Sequence, residues 1–218
     1  MLVKFLCMIV GFLANKLKLA PENAATVLSK LENYFLVPAL IINTFMKYCT
    51  ISSVTEQYKL ILYCLAALMI ALAVALPLSK VFAGDDGYKR NIYKYALAFG
   101  NFSFMGNAIV PAIMGDSMLY NYMLYILPLN VAVYTWGVII LIPKGEKTQN
   151  PLKNLLNPIF ISILIGAFLG LSVLSESVPS FIRQTISSLS SCMGPLAMIL
   201  TGFVIGSYDI AGLLKNKK

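Results

Sequence analysis

The run Ala96-Leu97-Ala98-Phe99-Gly100-Asn101-Phe102-Ser103-Phe104-Met105-Gly106-Asn107-Ala108-Ile109-Val110-Pro111 decides how the rest of the chain is read. Apolar sequence flanks it on both sides, as in a membrane helix, yet its last dozen residues hold two glycines, two asparagines and a proline. Lipid offers such a segment no hydrogen-bond partner, so it needs a protein-lined cavity. Helices broken at the bilayer midplane are a recurring device of secondary transporters, because half-helix ends present free N–H and C=O groups to a solute or ion. The expectation is a solute carrier with a broken fourth helix, whose binding face carries Gly100, Asn101, Gly106 and Asn107, with Pro111 at the break.

The composition places that segment in a membrane. Of 218 residues, 59% are hydrophobic and 12% charged, with a mean hydropathy of +0.79; soluble chains average about 45–50% apolar and 25% charged. A formal charge of +8 would suggest nucleic acid for a soluble domain. Here the basic residues lie in short loops between apolar runs and act on membrane orientation, so the lipid bilayer is the expected partner and nucleic acid is not. Four cysteines lack metal-ligand spacing, and no histidine exists. No metal site, no cofactor and no enzyme chemistry of the Ser-His or zinc type is expected.

Seven apolar runs follow in order, at about 2–15, 27–46, 58–82, 91–114, 118–142, 158–174 and 186–205. All but the first reach or approach the roughly 20 residues that a bilayer needs. Pro38 is expected to kink the second run and Pro195 interrupts the seventh. Asn43 lies one turn beyond Pro38, and Tyr134 and Thr135 lie in the fifth. The fold class expected is an all-α polytopic membrane protein of seven transmembrane helices. Thirteen of the 17 basic residues fall on one side of these spans, and only Lys4, Lys47, Lys59 and Arg183 on the other. The positive-inside rule then sets the N-terminus outside and the C-terminus in the cytoplasm.

Spans one and two are echoed by spans six and seven. Gly11 followed by Leu36-Val37-Pro38-Ala39-Leu40 matches Gly166 followed by Met193-Gly194-Pro195-Leu196-Ala197, with Gly-to-Pro intervals of 27 and 29 residues. A five-helix unit (1–143), a cytoplasmic loop (144–155) and a second unit (156–218) of opposite orientation make an inverted repeat. Its second copy has no counterpart of spans three to five.

Gly100-Asn101-x-Ser103-Phe104-x-Gly106, preceded by Ala-Leu-Ala-Phe, resembles the Gly-Asn-x-Gly-Phe-x-Gly-x-Pro signature of the auxin efflux carrier family, which includes plant auxin exporters and bacterial permeases for malate and malonate. The opening of the chain and the stretch from Asn157-Pro158 to Gly206 are similar to that family as well. The resemblance implies ten spans in two inverted five-helix repeats, of which this chain is the first seven, in the plasma or bacterial inner membrane. It also implies that Asn101 contacts a substrate carboxylate and that Tyr134-Thr135 lines the site. Ser103 stands where the signature has its second Gly, and Ala108 where it has Pro, so the break is displaced toward Pro111.

No Lys or Arg falls near the middle of a span, so amides and half-helix dipoles are expected to hold a small organic anion. Glu32 is the one acid inside a span. It is a candidate for coupling to protons or Na+, and the competing reading is that it reaches the interface beside Lys30. A seven-span receptor is the rival class, and the repeat argues against it. Without a crossing ninth helix the polar face of the fourth span would lack cover, which a second copy of the chain could supply in a homodimer; alone, the chain is not expected to transport.

Overall fold

The computed structural model describes residues 2–21, 23–100, 102–142, 156–172 and 174–208, and these fold as helices with no strand among them. In chain order they are α1 (Leu2–Lys16), α2 (Ala24–Tyr48), α3 (Ile51–Gln57), α4 (Lys59–Ala83), α5 (Gly87–Ala98), α6 (Phe102–Met114), α7 (Asp116–Ile140), α8 (Pro158–Leu171) and α9 (Ser180–Ser207). The long helices are hydrophobic nearly all round: α4 leaves Leu62, Tyr63, Leu65, Met69, Ile70 and Val74 exposed, the composition of a surface that faces lipid. Five helical stretches, Ala24–Tyr48, Ile51–Ala83, Gly87–Met114, Asp116–Ile140 and Ser180–Ser207, are long and apolar enough to cross a membrane. Of the other two expected spans, α1 has 15 residues and α8 has 14.

Local signals set the helix ends. Asp86 caps α5, its carboxylate accepting from the N–H groups of Tyr88 and Lys89, both at 3.0 Å. Asn157 caps α8 by accepting from Phe160 N–H at 2.9 Å, with Pro158 in the first turn where its missing N–H costs nothing. Thr50 and Ser53 bond reciprocally at the start of α3. Gly115 links α6 to α7 at φ +87°, a conformation that disfavours any residue with a Cβ.

Two helix pairs are held by close backbone approach. Helix α1 lies along α9, and a Cβ at Gly11 would overlap the Ile199 carbonyl, while one at Gly202 would overlap that of Met8. One turn further, a Cβ at Gly206 would stand 2.9 Å from Asn15 Cβ. Helix α8 packs on α2 in the same manner, with Gly166 against Phe45 and Gly170 against the carbonyls of Phe45 and Cys49. Gly202-x-x-x-Gly206 and Gly166-x-x-x-Gly170 are thus small-residue stripes that let helices meet where no hydrophobic force between them operates. The sequence reading passed over both stripes.

Helices α4, α5 and α7 form a second group around Leu68, Ala75, Ala98 and Phe99, with Trp136 packed on Phe99. Helices α2, α6, α7, α8 and α9 share the main core, centred on Leu40, Phe45, Leu119, Tyr120 and Met193.

The kink expected at Pro38 takes a specific form. Residues Glu32–Leu36 make a π-helical turn, closed by the Val37 N–H to Glu32 O bond, which shifts the register just before the proline that cannot donate. A second π turn, Val133–Gly137, interrupts α7. There Thr135 Oγ1 donates to Val131 O at 2.7 Å, a side-chain bond competing with the helix ladder.

Candidate solute path

Helical geometry stops at Phe99 (φ −120°, ψ 105°), whose N–H still closes on Tyr95 O, and resumes at Phe102. Tyr122 reaches this restart from α7: its hydroxyl donates to Phe102 O at 2.6 Å. Gly106 makes room for it, because a Cβ there would overlap the Tyr122 hydroxyl. Gly106 therefore serves a contact between α6 and α7.

The irregular segments meet around one cavity of about 190 Å³, lined by Asn33 of the first π turn, Gly100 and Phe102 at the interruption, Val133 and Tyr134 of the second π turn, and Asn130. Lipid-exposed backbone of this kind would carry unsatisfied polar groups, whereas around a cavity it offers them to a solute. Asn101 lies outside the described residues; its neighbours Gly100 and Phe102 both line this inner cavity.

A second cavity of about 520 Å³, called outer after the orientation expected from the basic residues, lies between α1, α2, α6, α7 and α9 and is lined by Asn43, Asn107, Pro111, Ser190 and Gly194, among others. Asn43 Nδ2 donates to Ser190 Oγ at 3.4 Å. Asn107 is only 3% exposed, and its Oδ1 has no partner. Pro111, four residues on, also deprives the Asn107 main-chain carbonyl of its usual helical donor. A side-chain acceptor is thus left over, in a place where a buried unsatisfied polar group costs about 1–3 kcal/mol.

A third space, a constriction of about 10 Å³, is lined by Ser103, Asn107, Asn130 and the apolar Ile41, Phe45, Met123, Ile126, Ile159 and Ile163. That is barely the space one water requires. Asn107 lines both the outer cavity and the constriction, while Ser103 and Asn130 line both the constriction and the inner cavity. Asn130, 6% exposed, joins the site and was not among the residues expected there.

The sequence-chosen residues therefore divide. Asn43, Asn107 and Pro111 share the outer cavity, and Gly100 and Tyr134 the inner one. Pro38 follows the first π turn, and Pro195 lies within continuous α9, one residue after cavity-lining Gly194. Glu32 does not reach the interface: it is fully buried in the first π turn, with neither carboxyl oxygen hydrogen-bonded. The turn that holds it packs against α9 and α8. Cations also come closer to the site than the positions of Lys and Arg along the spans suggested, since Lys4 and Lys47 line the outer cavity.

Long apolar helices around amide-lined cavities describe an integral membrane protein. A family model described as membrane transport protein matches residues 1–215, and the chain belongs to this family, that of the auxin efflux carriers. Comparison with curated proteins and with solved structures gave no match.

Proposed function

We propose that the protein, with a second copy of the chain covering the polar face of its fourth span, carries a small organic anion, such as a carboxylate, across the membrane by alternating access, with the substrate held where the fourth span is interrupted. The observation that carries this reading is the convergence of the two π turns with Gly100 and Phe102 on one cavity, while Asn107 and Asn130 line a small space that shares residues with this cavity and with the larger one. Amide N–H groups from Asn101, Asn107 and Asn130 would hold the carboxylate, and Tyr134 would close the inner end. The unpaired Asn107 Oδ1 and the buried Glu32 carboxyl suit a coupling proton or Na+.

In this reading seven spans cross the bilayer with the N-terminus outside, α1 and α8 included. The two glycine-packed pairs support the inverted repeat: a two-fold axis that exchanges span one with six and two with seven turns the α1–α9 contact into the α8–α2 contact. A receptor has no need of that exchange.

Equilibrium binding of radiolabelled malate to the purified chain in lipid nanodiscs tests the substrate class. Saturable binding displaced by other small carboxylates, and not by choline, is expected; displacement by choline alone, or no binding by any small carboxylate, overturns the reading. Orientation is tested separately, since Asp116→Cys should react with an impermeant thiol reagent added outside intact cells.

A further inference from the structure

Of the four basic residues on the outer side of the proposed topology, three gather at one place. Lys4 and Lys47 line the outer cavity. Lys47 and Arg183 line an adjoining hollow of about 550 Å³ that shares Asn43, Lys47 and Ser187 with it. Asp116 is the one acidic residue in either lining. None of the three cations makes an ion pair; the ion pair found among the described residues, Lys89–Asp86, is elsewhere. Three positive charges thus face a polar hollow against one negative charge, with low-dielectric walls that strengthen the field they create.

Lys4 is the innermost of them, and Gly194 explains how it gets there. The other glycines of α9, Gly202 and Gly206, accommodate the backbone of α1. A Cβ at Gly194 would instead collide with the Lys4 ammonium and otherwise meet only its Cε, at 3.4 Å. Gly194 is therefore a notch for a charged side chain and not a helix-packing glycine. A half-buried ammonium without a carboxylate partner is costly, and an anionic ligand would remove that cost.

We propose that Lys4, Lys47 and Arg183 form an anion-capture site at the outer mouth of the path, in which Lys4, admitted by the Gly194 notch, meets the carboxylate of the solute before it reaches Asn107. The proposal rests on the carrier reading for its ligand and its side of the membrane, so its test measures the local potential without any substrate.

In the full chain with Cys7 and Cys192 changed to Ser, a Ser191→Cys probe lines the outer cavity while buried Cys49 and Cys64 remain. Its modification rates by a negatively charged and a positively charged methanethiosulfonate reagent give a ratio that reports the potential. The ratio should exceed that of a free thiol, fall about tenfold in Lys4→Met, persist in Lys4→Arg, and shrink as salt screens it. Lys47→Met with Arg183→Met, at exposed positions where folding is not at stake, should lower it as well. A ratio unchanged in both the Lys4→Met and the double variant overturns the capture site. Charge-dependent ratios in a chain that binds no carboxylate would support the anion site and overturn the carrier reading, while carboxylate binding with insensitive ratios would overturn the capture site alone.

Discussion

The α1–α9 and α2–α8 pairs and the α5–α6–α7 region are built from the same residue types to opposite ends. In the pairs, glycines bring backbones into contact; in the other region helical geometry lapses at Phe99 and Gly100 and again at the second π turn, and both places line a cavity. The difference lies in what stands opposite. Gly11, Gly202 and Gly170 face a neighbouring helix backbone, whereas Gly100 faces open space. Small residues stiffen a membrane bundle where another backbone fills their hollow and loosen it where none does. A carrier needs both, a frame and a part whose hydrogen bonds can be exchanged for those of a solute.

The frame should break hardest. Gly202→Leu forces α1 away from α9 and is expected to cost about 3 kcal/mol or more, seen as loss of folded protein or a sharply lowered Tm in detergent. Gly100→Ala, by contrast, should leave Tm nearly unchanged, since nothing lies within 4 Å of its added methyl. Equal damage from both would erase the distinction.

The next effect separates binding from folding. Asn107→Leu removes an amide whose oxygen is already unpaired, so stability should hold or rise by about 1 kcal/mol while malate binding disappears. A lowered Tm would show instead that Asn107 is part of the frame. Tyr134→Phe is milder: without its hydroxyl the inner cavity keeps its shape, and a malate affinity reduced by up to about tenfold is expected.

The smallest effect belongs to a cap far from either region. The Lys89 N–H, then the Tyr88 N–H and the nearby Lys89 charge, hold the exposed Asp86 carboxyl below the usual carboxylate range. Its folded pKa is depressed, so the cap contributes fully above the ordinary carboxylate pKa and is lost as pH falls through the depressed value. Hydrogen exchange at Tyr88 and Lys89, corrected for intrinsic pH dependence, should accelerate only in that acid range and not in Asp86→Asn.

The all-helical membrane class was legible because composition alone forbids a soluble core, and the family was legible in Gly100-Asn101 with its flanking residues. Pro38 announced an irregularity but not its kind, since a proline removes one helix donor and leaves open how the turn before it closes. Lys4 was illegible for a related reason. Its distance along the chain from the other site residues says nothing, and only the packing of α1 on α9 brings it to Gly194. Asn130 was hidden because it is one of several polar residues in α7, Asn121 and Thr135 among them, whose spacing does not say which face is buried.

The central claim is that the interrupted segment binds a small carboxylate. Malate-induced thermal stabilisation of the purified chain in nanodiscs, compared between the native sequence and Asn101→Ala, tests it most directly. A saturable rise in Tm for the native chain, absent in an Asn101→Ala protein whose ligand-free Tm is unchanged, is the predicted result; an equal rise in both would contradict it.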